Sequence, residues 1–293
     1  MAAGPILVTG GTGQVASALV VGAGGRAILR VGRPEVDFDA PDGILPLLRR
    51  LAPALIVNAA AYTAVDRAES EAAAAYRANR DGPALLAAHA AEAGIPLIHI
   101  STDYVFDGLK GAPYVETDPT SPTGIYGASK LAGEQAVAAS GARAIVLRTS
   151  WVYAETGRNF VLTMLNAARK TSQLRVVADQ RGCPTAAADL AATILAIADR
   201  LADGWDEALG GVYHAAGSGE ATWHGLAEAV FARAERHGLA RPTVTPIATQ
   251  DWPTPARRPP DSRLDCGKLR RTFGLALPDW RDSVDRTVDA VFA

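Results

Sequence analysis

The 293-residue sequence predicts an α/β fold, a doubly wound parallel sheet with a smaller C-terminal part. Three observations carry that reading. Short apolar runs rich in β-branched residues alternate with Ala-rich stretches of helical length. Those runs are apolar on both faces, as strands covered by helices on two sides must be. Beyond about residue 218 the pattern changes to a helix followed by a long Pro-rich, polar segment.

In chain order, strands are predicted at 5–10 (PILVTG), 26–31 (RAILRV), 54–60 (ALIVNAA), 95–102 (IPLIHIST), 144–150 (AIVLRTS), 174–178 (LRVVA) and 211–216 (GVYHAA). Helical stretches lie between them at 67–80, 82–93, 128–139 and 186–202. A helix over 222–238 precedes RPTVTPIATQDWPTPARRPPDSRLD, which reads as a long ordered loop, too irregular for a sheet core. An amphipathic helix over 279–292 closes the chain. The expected organisation is a sheet domain over 1–150, continued by 174–217, with 151–173 and 218–293 forming a second part that contributes a lid.

Composition narrows the class. Hydrophobic residues make up 48% and charged residues 20%, with a formal net charge of -2, ordinary for a packed globular protein. No basic excess points to nucleic acid, and no apolar run reaches membrane-spanning length. The opening MAAGPILVTGG lacks the charged and apolar regions of a secretion signal. Cys183 and Cys266 stand alone, without the spacing of a disulfide framework or metal site, and suit a reducing cytoplasm. His89, His99, His214, His224 and His237 form no HxxxH pattern, so no metal is expected.

The first predicted strand runs into Thr9-Gly10-Gly11-Thr12-Gly13-Gln14-Val15-Ala16. Gly10 permits a tight turn, Gly13 lets the backbone approach a pyrophosphate, and Ala16 keeps the helix close to the strand. The helix N-terminus supplies N–H groups and a positive dipole end. Strand, glycines and helix in that order make a Rossmann-type dinucleotide site. The second strand ends in Leu29-Arg30-Val31-Gly32-Arg33, where an acidic residue would bind a ribose hydroxyl. Arginine there grips a 2′-phosphate instead, so NADPH is the expected cofactor and NADH the alternative. Asp37 and Phe38 follow and point to the adenine side.

Tyr126 and Lys130 stand four residues apart, on one helical face. A phenol near pKa ~10 is a poor acid at neutral pH, and an adjacent ammonium is expected to lower it toward the working range. Tyr126 is then the proton donor to a carbonyl oxygen as hydride arrives at carbon. Thr102, at the end of a predicted strand, is placed to hydrogen-bond the same oxygen.

These features resemble the extended short-chain dehydrogenase/reductases, which act on nucleotide sugars. Finer motifs resemble the dTDP-4-dehydrorhamnose reductases among them: Val57–Asp66, Ser101–Gly108, Tyr126–Glu134, Arg148–Tyr153, Asn159-Phe160, Asp179–Thr185, Arg258-Pro259 and Ser262-Arg263-Leu264. The resemblance spans essentially the whole chain. It implies that Gly13, Gln14 and Val15 hold the pyrophosphate, and that Asp37, Phe38, Ala61, Tyr62 and Thr63 line the cofactor. It implies Thr102, Tyr126 and Lys130 as the catalytic set, with Lys130 also on the nicotinamide ribose. Asp103 and Trp151 would contact the sugar, and Arg258 the substrate diphosphate. The implied reaction is reduction of dTDP-4-dehydro-L-rhamnose to dTDP-L-rhamnose, by a monomer or homodimer.

Two departures matter. Some relatives are described as metal-bridged dimers through glutamates that fall near Ala18, Ala188 and Ala290 here, which offer no oxygen ligands. Asp261 stands where an Asn is common, adding negative charge near the expected anion site. Alternatives stay open: another nucleotide-sugar 4-reductase, an epimerase or epimerase-reductase, or a non-catalytic NADP-binding regulatory subunit. A dehydratase is disfavoured, because Asp103 is followed by Tyr104 where those enzymes carry a second carboxylate.

Overall fold

Six of the seven predicted strands join one parallel sheet in a computed structural model that describes residues 4–293. Residues 1–3, where the expected sheet domain begins, lie outside the described residues. The longer strands are β1 (Ile6–Thr9), β2 (Ile28–Arg30), β3 (Leu55–Asn58), β4 (Leu97–Thr102), β5 (Ala144–Thr149), β6 (Gln173–Val177), β7 (Gly211–His214) and β8 (Thr243–Ile247). The main sheet runs β7-β5-β4-β3-β1-β2. The direction of winding reverses beside β1, so the loops after β1 and β3 flank the crevice where open α/β sheets take ligands.

Eight helices orient the description: α1 (Gln14–Val21), α2 (Ile44–Leu51), α3 (Gly82–Ala93), α4 (Ile125–Ala139), α5 (Phe160–Ala168), α6 (Ala187–Ala202), α7 (Trp223–Glu235) and α8 (Trp280–Phe292). Period-two alternation splits the strands between two cores. Val8, Val57 and Ile98 pack with Leu19 of α1 and with Leu190, Ile194 and Ile197 of α6. Leu7, Ile56 and Leu97 pack with Leu48 of α2 and Leu86 of α3 on the other face. The apolar stripe of α6, at spacings of three and four, is what binds it to that first core.

A separate core joins Val161 and Leu165 of α5, Leu226, Val230 and Phe231 of α7, and Trp280, Val284 and Val288 of α8. Asn159, Thr222 and Asp279 cap these three helices through side-chain oxygens, as expected of Asn, Thr and Asp at that position.

Two expectations are corrected. β6, expected in the sheet domain, pairs instead in parallel with β8 in a two-stranded sheet, and its Val176 belongs to the core of α5, α7 and α8. The partner, β8, lies inside the segment expected to be loop throughout. Pro246 disguises it, yet proline is tolerated in a strand bonded on one side only. No helix among the described residues is long and apolar enough to cross a membrane.

Candidate active site

The glycine loop turns as its sequence requires. Gly10 adopts φ 108°, and a Cβ there would sit 2.8 Å from the Ala59 carbonyl oxygen. Gly13 caps α1 with no side-chain hydrogen bond, and no acidic residue stands in the first turn. The N–H groups of α1 are therefore open to an anion, and the glycine turn leaves it backbone-close access. These residues fit a dinucleotide pyrophosphate. Gln14 reaches across to accept from Asn159 Nδ2 at 2.8 Å, which ties the loop to the start of α5. Val15 packs against the core beside α1.

Among the residues expected at the adenine, Arg33 is exposed and pairs with Asp37 at 2.9 Å and Asp39 at 2.5 Å. Phe38 lies against Gly82, where a Cβ would meet its ring at 2.6 Å. Ala61, Tyr62 and Thr63 follow β3. The backbone of Tyr62 is held by Asn79, which its sequence context did not single out. Asn79 accepts from Tyr62 N at 2.8 Å, donates to Tyr62 O at 3.1 Å, and donates to Ser129 Oγ of α4 at 3.0 Å. It sits in a π turn, Arg77–Asp81, inside an otherwise helical stretch, a form often found at functional sites. A lone Asn in an Ala-rich helix carried no signal beyond its polarity.

The carboxyl end of β4 and the first turns of α4 bring Thr102, Tyr126 and Lys130 together. Thr102 Oγ1 accepts from Tyr104 N at 3.2 Å and donates to Asp103 Oδ1 at 3.1 Å. Lys130 is buried and donates from Nζ to the Ile100 carbonyl at 2.6 Å. Burial brings the Lys130 ammonium down to about 8, against the opposing charge of Glu134. The expectation for Tyr126 is reversed. Burial pushes it up to about 12, a hydrogen bond with Thr102 works the other way, and Asp103 adds to the rise. Desolvation of the phenolate outweighs the attraction expected from Lys130, whose ammonium is turned to a carbonyl. Tyr126 still presents part of its surface to solvent, and Tyr104 meets its ring edge-on at 5.6 Å.

Asp103 is buried behind Thr102, with Ser262 at 2.5 Å and Ser150 at 3.1 Å on its Oδ2. Burial raises its carboxyl to about 6, and those hydroxyls hold it from rising further. Trp151 follows β5 at φ 47°, a strained conformation for a bulky residue. Its indole stacks on Trp223 and presses against Gly182, where a Cβ would lie 2.4 Å away.

Arg258 is half-buried and grips Asp66 with two hydrogen bonds of 2.9 Å. It also donates to Thr254 Oγ1 at 2.7 Å and the Ala256 carbonyl at 3.0 Å. It lies near enough to Tyr104 to favour that phenolate. A cavity of about 450 Å³ opens beside it, lined by Asp179, Thr249, Trp252, Arg257 and Arg258. Asp261 is bound instead to Arg263, at 2.6 Å and 2.8 Å. Its extra charge is thus matched locally. A cavity of about 510 Å³ on the C-terminal part, lined by Arg181, Glu220, Arg241 and Arg281, includes none of Thr102, Tyr126 and Lys130.

Residues 4–292 match the family described as the RmlD substrate binding domain. A dTDP-4-dehydrorhamnose reductase of Sinorhizobium fredii is 47% identical over 287 residues, covering 98% of this chain and 97% of that protein. Among solved structures, a dTDP-4-dehydrorhamnose reductase from Clostridium acetobutylicum matches with a TM-score of 0.91 at 33% identity, over 99% of this chain and 100% of that one. Another from Bacillus anthracis, in complex with NADP, matches with a TM-score of 0.90 at 32% identity, over 98% and 99% of the two chains. The chain is therefore a member of the RmlD substrate binding domain family.

Proposed function

We propose that this protein reduces dTDP-4-dehydro-L-rhamnose to dTDP-L-rhamnose with NADPH, or NADH in its place, as the last step of dTDP-L-rhamnose formation. The observation that carries the reading is the meeting of Thr102, Tyr126 and Lys130 at the carboxyl edge of the sheet, beside an uncapped glycine loop. The cofactor, when bound, supplies the hydride for the sugar carbonyl carbon.

The chain's own residues do the rest. Tyr126 stays a neutral phenol across physiological pH, the form a reduction needs in its acid. It gives its proton to the C4 oxygen. Thr102 carries a hydroxyl whose proton is turned to Asp103 and can be turned to the same oxygen. Lys130 presents an ammonium that favours charge developing on that oxygen and holds the nicotinamide ribose. Gly10, Gly13, Gln14 and Val15 hold the pyrophosphate. Arg33, Asp37, Phe38, Ala61, Tyr62 and Thr63 surround the adenosine half. Asp103 and Trp151 contact the sugar. Arg258 exchanges Asp66 for the substrate diphosphate, for which a planar guanidinium is suited.

The sheet domain over residues 4–150 and α6 to β7 would carry the cofactor, and the remainder the nucleotide sugar. The protein would work in the cytoplasm as a monomer or homodimer, and its two free thiols, Cys183 and Cys266, support a reducing compartment. The test is NADPH oxidation with enzymatically prepared dTDP-4-keto sugar. Folded protein that binds NADPH and gives no turnover on that substrate would refute the reading.

A further inference from the structure

Behind the catalytic helix lies a buried charge cluster that the chemistry above does not use. Glu134 stands one helical turn beyond Lys130 on α4, and both are buried. Arg148 of β5 donates to the Glu134 carboxylate from Nε at 3.0 Å and Nη2 at 2.7 Å, and both side chains are only 5% exposed. Ser101, the register partner of Arg148, donates to Glu134 Oε1 at 2.5 Å. Its neighbour Ile100 supplies the carbonyl that takes the Lys130 ammonium. The Arg148 Nη1 finds no partner.

One buried carboxylate thus bonds Arg148 directly and acts on Lys130 through space, from one helical turn away. A guanidinium keeps its proton in proteins, whereas a desolvated ammonium loses it readily. Where negative charge falls short, Lys130 is the group that discharges. We propose that Glu134 is a positioning residue for the reaction, holding Lys130 as an ammonium and seating α4 against β4 and β5, while Arg148 competes for the same carboxylate.

Of the other groups packed around α4, Glu69 spends its carboxylate on the helix N-terminus, accepting from Ile125 N at 2.9 Å. His99 of β4 is buried neutral, its Nδ1 accepting from Asn58 Nδ2 at 3.0 Å. Asp103, in the turn after β4, is occupied by Thr102, Ser150 and Ser262. Tyr104, in the same turn, is pushed upward by burial and stays neutral, as does Tyr126. The π turn sets uncharged Asn79 against Ser129, while its exposed charges pair at the surface, Arg77 with Asp39 and Arg80 with Asp81. Lys130, brought to about 8, is therefore the group of this set that titrates just above neutrality.

The inference rests on the reading that Lys130 holds the cofactor ribose. It is tested by the pH dependence of NADPH affinity, read by fluorescence, alongside that of kcat/KM on the dTDP-4-keto sugar. Glu134→Gln is expected to move the alkaline limb of both profiles down by about one pH unit or more. Arg148→Met should move the limb up, and Glu134→Asp should lie between wild type and Glu134→Gln. A purely structural ion pair would weaken the protein in both variants without separating their limbs. Limbs that do not move, limbs that move the same way, or a wild type without an alkaline limb in NADPH affinity would each overturn the proposal. Should Glu134→Gln fail to fold, Arg148→Met decides alone, and an unshifted limb overturns it. Wild type that shows the expected binding profile but no turnover removes the substrate reading and leaves this inference standing on affinity.

Discussion

Trp151 and Trp223 lie flat on one another, with ring centroids 3.5 Å apart and planes 7° from parallel. Trp151 is held at φ 47° by this stack and by Gly182 behind it. Trp223 in turn donates from Nε1 to Gln180 at 3.0 Å, and Gln180 donates to Thr249 at 3.1 Å. The Trp151 indole is thus linked to the segment that carries Arg258. Replacing Trp223 by Ala removes an aromatic pair worth roughly 1 kcal/mol beyond its buried area, or about fivefold. The Michaelis constant for the nucleotide sugar should rise by at least that much, with NADPH affinity unchanged. Steady-state kinetics and a cofactor titration measure the two.

Tyr126→Phe removes the proton donor but not the ring that meets Tyr104. The turnover number should fall by ~10²–10⁴ while NADPH affinity stays close to wild type. Stopped-flow hydride transfer and fluorescence titration separate the two effects. Near-normal turnover would show that another group supplies the proton.

Asp103 has a folded pKa of about 6, above its ordinary 3.8, because burial disfavours its charge. Between those values the native state holds a proton that the unfolded chain has released. The contribution of Asp103 is therefore most favourable below pH 4 and declines as pH rises through about 6. Asp103→Asn should abolish that decline and raise the melting temperature at pH 7 to 8, while lowering kcat/KM. Melting curves across pH 4 to 8 check the first part. A parallel decline in the variant would assign the titration elsewhere.

Arg258 and Asp66 are 192 positions apart in sequence and joined by two hydrogen bonds. Asp66→Asn should free the segment around Arg257, seen as faster trypsin cleavage there. Arg258→Met should raise the Michaelis constant for the nucleotide sugar by about tenfold or more, the loss expected of a charged hydrogen-bonding partner.

Arg33 is 65% exposed on its side chain and paired with Asp37 and Asp39. Arg33→Ala should weaken NADPH several-fold and leave NADH nearly untouched, since the 2′-phosphate is what separates the two. Equal effects on both would place the phosphate contact on another residue.

Much of this molecule was legible in its sequence because the signals were local. The glycine loop, the strands of the main sheet and the Tyr126–Lys130 spacing each declare themselves within a few residues. What escaped depends on distant pairing. β6 reads as another sheet strand until β8 is seen beside it, 70 residues later in register. The role of Asn79 requires Tyr62 and Ser129 together, and that of Glu134 requires Ser101 and Arg148. The misjudged acidity of Tyr126 has a related cause. Spacing reports that an ammonium is near, but it does not report burial or where that ammonium points.

The placing of β7 at the sheet edge, after a long excursion through α5 and β6, sets an order on biosynthesis. A ribosome that has released residues 4–150 has delivered five strands of the sheet. It has not yet delivered α6, the helix whose Leu190, Ile194 and Ile197 cover Leu19 and Val8. Those side chains face water until residues 187–202 emerge. The main sheet is therefore completed only after residues 151–186, which lie between β5 and α6, are already outside. A gene fragment cut at residue 150 yields an open sheet with one face covered by α1 alone.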